Sequence, residues 1–281
     1  MYTVAVIPIL VGTAVAVGGS QQGSALIFTL FLLSAIAIIA WINLSNDVFD
    51  SDTGIDINKA HSVVNLTGNR NLVLWISNFF LALGLLGIGL ITWLQQDYTV
   101  LSLIILSCLL GYSYQGPPWR LGYWGLGEVI CFITFGPLAI GAAYYSQAQR
   151  FSYDYAFPAF FVGLTTALIL FCSHFHQVAD DEAAGKLSPI VRLGTAKGAV
   201  VLVAALIFLY LVTGVAIAAH WAPWGCLGIY LSLPWAGQLG YKIWREHHQP
   251  QLVSNSKFIA VNLHFISGVL LSFGYLFSAW G

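Results

Sequence analysis

Hydrophobic residues fall into long runs that are apolar on every side, interrupted by short polar stretches. A window of about 19 residues, the length that crosses roughly 30 Å of hydrocarbon, picks out nine segments. They cover 2–17, 25–43, 72–94, 98–114, 126–145, 155–175, 199–219, 224–241 and 258–278. The period-two alternation of a membrane β-barrel is missing, and a run such as Leu101 to Leu110 is apolar all round, so the pattern predicts helices. The expected fold class is an all-α integral membrane protein, nine transmembrane helices in one bundle, with residues 1–281 forming a single domain. Trp41, Trp93, Tyr98, Tyr114, Tyr144, Tyr155 and Trp280 stand near segment ends, where amphipathic rings settle at headgroup level. No basic stretch precedes the first segment, which runs into Gly18-Gly-Ser-Gln-Gln-Gly23 and reads as a helix of the mature protein rather than a cleaved signal peptide.

Composition sharpens this reading. Hydrophobic residues make up 58% and charged residues 7% of the chain, against about 25% charged in soluble domains, which excludes an ordinary soluble enzyme. A formal net charge of −1 gives no basic field to attract nucleic acid. Cys108, Cys131, Cys172 and Cys226 lie in apolar runs without metal-ligand spacing and read as small buried hydrophobes.

The few charges are arranged asymmetrically. Nine of the ten Lys and Arg follow even-numbered segments: Lys59, Arg70, Arg120, Lys186, Arg192, Lys197, Lys242, Arg245 and Lys257, with Arg150 alone on the other side. The positive-inside bias then places the N-terminus in the cytoplasm and the C-terminus outside. Seven of the eleven carboxylates fall in two stretches on the cytoplasmic side: Asp47, Asp50, Asp52 and Asp56 after the second segment, and Asp180, Asp181 and Glu182 after the sixth. Two helix ends separated by four crossings open on one face, so the clusters are able to converge. If the second helix continues to Asp50, then Asn43, Asn46, Asp47 and Asp50 form one stripe at i, i+3, i+4 and i+7, and His174, Gln177 and Asp181 repeat the logic at i, i+3 and i+7. Such an excess of oxygen ligands suits a hard divalent ion such as magnesium. Lys59, Arg70, Arg120, Lys186 and Arg192 gather on the same face. Acids holding magnesium, ringed by cations that bond phosphate oxygens, predict a diphosphate ligand with an apolar body.

These stretches resemble the UbiA superfamily of intramembrane aromatic prenyltransferases over almost the whole chain. Asn46-Asp47-x-x-Asp50 with Gly54-x-Asp56 resembles the first Asp-rich motif of that family, and Asp181, Gly185-Lys186 and Val191-Arg192-Leu193-Gly194 the second. SHFHQVADDEAAGKLSPIVRLG and YSYQGPPWRLGYWGLGE are similar to the cyanobacterial and plastid branch that prenylates 1,4-dihydroxy-2-naphthoate in phylloquinone and menaquinone biosynthesis. Two departures stand out: Gln177 occupies the place of the first Asp in a DxxxD pattern, and the chain opens at MYTVAVIPILVG where relatives carry a short basic segment.

The resemblance implies transfer of a phytyl or polyprenyl group from its diphosphate to 1,4-dihydroxy-2-naphthoate, with loss of diphosphate and carbon dioxide. It implies Asn46, Asp47 and Asp50 as one set of magnesium ligands and Asp181 with Asp180 as the other, with Asp56 a weaker candidate. Arg120, Lys186, Lys59 and Arg70 are the implied diphosphate contacts. Tyr112, Tyr114, Trp119, Tyr123 and Phe132 would line the acceptor and carbocation pocket or serve as belt and packing. His61, His174 and His176 would assist deprotonation of the naphthol or make structural hydrogen bonds. Pro117-Pro118 stiffens the loop after the fourth helix, over the active face. The membrane is plasma or thylakoid. Homogentisate, 4-hydroxybenzoate or chlorophyllide as acceptor is the nearest alternative; a secondary transporter and a non-catalytic scaffold are the alternatives from other classes, although a transporter would carry its acids near the midplane.

Overall fold

A computed structural model describes residues 3–20, 23–55 and 62–278. Among them there are only helices, turns and loops, without a strand. The principal helices are α1 (Thr3–Ser20), α2 (Ala25–Thr53), α3 (Arg70–Gln95), α4 (Thr99–Gln115), α5 (Gly127–Ala148), α6 (Ala156–His174), α7 (Val178–Ala183), α8 (Thr195–Ala218), α9 (Leu233–Glu246) and α10 (Ser256–Ser278). By length and composition six segments can cross a bilayer: α2, α3, α5, α8, Tyr153–His174, which includes α6, and Pro250–Phe277, which includes most of α10. Large apolar side chains cover the outside, among them Trp75, Phe79, Leu86, Leu211 and Phe277, each more than half exposed. In water that exterior would be untenable. Around six apolar helices it is the lipid-facing surface of a multi-pass membrane protein.

The hydropathy run of the second segment ends at residue 43, yet α2 continues to Thr53 and stops at Gly54, whose φ of 76° favours a residue without Cβ. Asn43, Asn46, Asp47 and Asp50 therefore ride on a rigid helix, one face of which is turned inward. At the start of α2, the Ser24 hydroxyl accepts from the Ile27 amide; Asn69 does the same for Leu72 at the start of α3. The fifth helix is not uniform: Thr134–Leu138 forms a π-turn around Pro137, which has no amide hydrogen to give to the ladder. Beside that turn α5 and α6 press together, and a Cβ on Gly163 would stand 2.7 Å from the Phe132 carbonyl oxygen. The apolar segment 224–241 is split into a 3₁₀ stretch, Trp224–Ser232, followed by α9.

Two apolar cores meet at α1. Ile7 and Val11 belong to a core shared with Phe161, Phe175, Leu202 and Leu263, whereas Ile9 belongs to one shared with Phe31, Trp41 and Ile88. Between the cores lies a cavity of about 280 Å³, enclosed by α1, α2, α4, α5, α6 and α10. Its walls are apolar. Toward the end that carries both acidic stretches its polar lining includes Asn43, Asn46, Tyr114, Ser173 and Lys257.

Candidate functional site

The first acidic stretch is built on the last turns of α2. Asp47 is buried at 8% exposure, and its Oδ2 accepts from the Ser62 hydroxyl at 3.0 Å and from the Val64 amide at 2.9 Å. Both bonds fall on one oxygen, which leaves Oδ1 to another partner. Asp50 accepts from the Gln115 side chain at 2.5 Å, joining α2 to the end of α4. Asn46 lines the cavity mouth. Asp52 is engaged outside the mouth, in a two-pronged pair with Arg70 at 2.6 and 2.7 Å. Arg70 is thus tied to an acid of its own side, at 40% side-chain exposure. Asp56, Lys59 and His61 lie outside the described residues.

The second stretch is held by α6, α7 and the loop that follows. Asp181 is 1% exposed; its Oδ2 meets His174 Nδ1 at 2.9 Å and its Oδ1 lies 3.5 Å from the Lys186 ammonium. Burial raises this carboxyl, and the hydrogen bond with His174 and the charge of Lys186 together outweigh it, holding Asp181 below the usual carboxylate range. Asp180, its neighbour, is exposed. His174 also brings Nε2 to 3.5 Å from Glu128 Oε1. Both carboxylate oxygens of Glu128 are buried without a hydrogen-bond partner.

The loop after α4 draws the two stretches together. Tyr123 shares a 2.5 Å hydrogen bond between its hydroxyl and Thr53, one turn beyond Asp50, while its carbonyl accepts from the Leu187 amide at 2.8 Å, next to Lys186. Arg192 adds two further bonds, to the carbonyls of Leu187 and Trp124. Gly125, at φ 76°, permits the approach: a Cβ there would meet the Leu187 carbonyl at 2.5 Å. Tyr114, on the cavity wall, lies within electrostatic reach of Asp50, Glu128 and Asp181 at once. Arg120 starts the short turn Leu121–Trp124 with φ 44° and ψ 47°, a left-handed conformation that costs an L-residue roughly 1–2 kcal/mol. Its guanidinium lies 6.0 Å from the Tyr123 ring centre, and its charge reaches Asp52.

Tyr123 thus ties the end of the first stretch to the loop after the second, and Tyr114, which lines the cavity with Asn46, lies within electrostatic reach of an acid from each. Among the aromatic candidates, Tyr112 packs edge-on against Phe49 and Trp119 and gives its hydroxyl to the Pro117 carbonyl. Trp119 is more than half exposed, and Phe132 packs against Phe160. Sequence reasoning missed Gln115, Glu128, Ser62 and Lys257. Glu128 sits in a stretch already singled out by resemblance, and a lone acid opening an apolar helix was the available signal. Gln115 lies in the same stretch with nothing to set it apart from its neighbours, and nothing in the sequence marked Ser62.

Carboxylate and amide oxygens are the hard donors that magnesium prefers, and Asp47, with both of its hydrogen bonds on Oδ2, has Oδ1 to offer. Among the described residues no three His, Cys, Asp or Glu already stand close enough to share an ion. The donors fit the metal chemically, and bound substrate oxygens would have to complete its shell.

Residues 5–268 match the UbiA prenyltransferase family. The chain belongs to that family. This UbiA-family chain is 64% identical over 281 residues, covering all of it and 92% of its counterpart, to the 2-carboxy-1,4-naphthoquinone phytyltransferase of Synechocystis sp.. The UbiA fold is shared with an apo UbiA homolog from Aeropyrum pernix K1, at TM-score 0.74 and 14% identity over 95% of this chain and 96% of the other. A UbiA homolog from Archaeoglobus fulgidus bound to DMAPP and Mg2+ aligns at TM-score 0.58 and 18% identity, over 97% and 95% of the two chains.

Proposed function

We propose that this protein transfers a phytyl group from phytyl diphosphate to 1,4-dihydroxy-2-naphthoate, releasing diphosphate and carbon dioxide, as a step of phylloquinone biosynthesis; a longer polyprenyl donor would serve menaquinone. The observation that carries the reading is Tyr123 bonding both Thr53, at the end of the first acidic stretch, and Leu187, after the second, in a bundle whose apolar cavity is lined by Asn46 and Tyr114. A ligand with a charged head and a branched hydrocarbon tail matches that shape. The 64% identity to the Synechocystis phytyltransferase supports the naphthoate acceptor and the phytyl donor.

The head of the donor meets Lys186 and Arg120, whose N–H groups donate to phosphate oxygens, while Arg70 is engaged by Asp52. Asn46, Asp47 and Asp50 on one side and Asp181 with Asp180 on the other would hold magnesium, which when bound offsets the charge gathered on the departing diphosphate, as the Mg2+-bound Archaeoglobus homolog supports. The allylic C–O bond breaks and its electron pair leaves with the diphosphate oxygen. Tyr114, Tyr123 and the neighbouring Tyr112 and Trp119 turn aromatic surface to the resulting cation, worth roughly 0.5–2 kcal/mol each, and the apolar walls keep water from it. The ring carbon bearing the carboxylate forms the new C–C bond, and the carboxylate departs as carbon dioxide, returning its bonding pair to the ring. His174, held between Asp181 and Glu128, would be the group that takes a hydrogen bond or proton from the acceptor hydroxyl.

In the membrane we place nine crossings in a single domain. To the six long spans are added α1, α4 and the composite segment from Trp224 to Glu246. The site faces the cytoplasm, the N-terminus lies inside and the C-terminus outside, as the basic loops favour. Membranes containing the protein, given 1,4-dihydroxy-2-naphthoate, Mg2+ and either phytyl or longer prenyl diphosphates, should yield a lipid-soluble prenylated naphthalenediol, recovered as its quinone after oxidation by air. No such product with any donor would overturn the reading.

A further inference from the structure

The lining of the central cavity runs along α2 from Asn43 to Phe31 and along α4 from Tyr114 to Ile104. Those twelve and ten residues, at about 1.5 Å each, make it a tube about 15–18 Å deep. Its bottom is fixed on several walls at once. At the end of the bundle away from the acidic stretches, the Ser24 amide donates to Gln147 Oε1 at 2.7 Å and the Tyr145 hydroxyl to Asp97 Oδ2 at 2.8 Å, so the start of α2, the start of α4 and the last turn of α5 share one level. The innermost lining residues of these helices, Phe31, Ile104 and Ala139, lie six to eight residues in from that level. Ile9 of α1 joins them, because Gly12, one turn on, is pressed against α5: a Cβ there would stand 2.6 Å from Ala143 Cβ and 2.7 Å from the Ile140 carbonyl oxygen. Beyond this ring the bundle is solid. Ile27, Val100, Ala142 and Ala143, each about one turn further on, are buried in the apolar core and do not line the cavity. Phe31 is the largest side chain of the ring and is 1% exposed.

A hydrocarbon tail that enters past Asn43, Asn46 and Tyr114 therefore runs down onto the Phe31 ring. The depth of the tube is about that of one membrane leaflet, half of roughly 30 Å of hydrocarbon. Phytyl, with sixteen carbons in its main chain, is as long as the acyl chains that fill a leaflet. An octaprenyl tail is twice as long, and a close-packed interior holds no void to take the surplus. Resting on the proposed prenyl transfer, we infer that Phe31 is the stop of the tail channel and makes the site select a twenty-carbon donor over longer polyprenyl diphosphates. Truncating Phe31 would open the tube toward Ile27 by one helical turn, about 5.4 Å, which is room for about one more five-carbon unit.

The test gives the whole chain in lipid nanodiscs, with 1,4-dihydroxy-2-naphthoate and Mg2+ held constant, phytyl, geranylgeranyl, geranylfarnesyl and solanesyl diphosphates in turn. Wild-type kcat/KM for the donor should fall tenfold or more between the twenty-carbon and the twenty-five-carbon chains. Phe31→Ala should raise the ratio of geranylfarnesyl to phytyl turnover tenfold or more. Ala139→Leu, which fills the same level from another wall, should move the preference toward farnesyl diphosphate, and it decides the matter if Phe31→Ala does not fold. A wild-type profile that stays flat up to solanesyl would mean that the tail leaves the cavity sideways between helices, and a preference unmoved in either folded variant would put the limit elsewhere; each overturns the proposal. Binding separates the channel from the reaction. Non-transferable S-thiolodiphosphates of the same chains should show the same break in Kd on wild-type protein. If that break appears while no donor yields prenylated naphthoate, the channel stop stands and the proposed reaction falls; product from every chain length with no break in Kd does the reverse.

Discussion

Asp47 and Asp50 are both acids of the first motif, but they are not equivalent. Asp47 accepts from buried Ser62 and from the Val64 amide, so Asp47→Ala strands two donors, at about 1–3 kcal/mol for each buried group left unpaired. Asp50 is held by Gln115, and an asparagine there keeps an oxygen for that bond while losing the charge. Asp50→Asn should cut turnover a hundredfold or more with little change of melting temperature in detergent; Asp47→Ala should lower both. A melting temperature that falls equally in the two variants would refute this division of labour. Arg120 makes a sharper case, because its left-handed backbone opposes stability while its side chain serves the site. Arg120→Gly should relieve about 1 kcal/mol of backbone strain, less the extra entropy of glycine, so the melting temperature holds or rises as turnover collapses. The types and spacing of Asp47, Asp50, Asp181, Lys186 and Arg120 were legible because charge is scarce in this chain. What each one holds was not, since Ser62 and Gln115 reach Asp47 and Asp50 across 15 and 65 positions and Glu128 meets His174, the partner of Asp181, from another helix, and a single sequence carries no record of such pairings.

Helices were the most legible elements, and their ends the least. Hydropathy closes the second helix at residue 43 because Asn43, Asn46 and Asp47 look like loop residues, yet backbone hydrogen bonding continues to Thr53 and converts them into an inward stripe. The converse error falls on 126–145 and 224–241, where uniform apolarity hid a π-turn around Pro137 and a 3₁₀ stretch. Both irregularities reflect backbone packing rather than polarity. Close helix contact is what Gly163 permits, since any side chain there meets the Phe132 carbonyl, and in lipid, small residues are how helices gain contact. Gly163→Ala should cost roughly 1–3 kcal/mol by forcing α5 from α6, read as a lower melting temperature. The two helices carry Cys131, Thr134, Thr166 and Leu170 of the cavity wall, so the donor KM should move as well. An unchanged donor KM would mean that the tail does not run between these helices.

At the scale of the whole molecule, the arrangement works only if both acidic stretches share one aqueous compartment. The contacts of Tyr123 with Thr53 and Leu187 tie their ends to a common loop, and the chain enters α6 from the opposite end, beside Tyr153. Thr67 and Glu182 are exposed near the two stretches, and Tyr153 is 95% exposed at the far end. Single cysteines at these three positions make the geometry measurable, because Cys108, Cys172 and Cys226 are buried and closed to the reagent; Cys131, half-buried, is first replaced by serine. In sealed vesicles of known sidedness, a membrane-impermeant maleimide should label Thr67→Cys and Glu182→Cys from the cytoplasmic face and Tyr153→Cys only from the other. Labelling of Thr67→Cys and Glu182→Cys from opposite faces would leave no single diphosphate able to touch both motifs, and the proposed chemistry would lose its site. Labelling of both from the external face would keep the chemistry and reverse the orientation, with the basic loops then lying outside against the bias that their charge predicts.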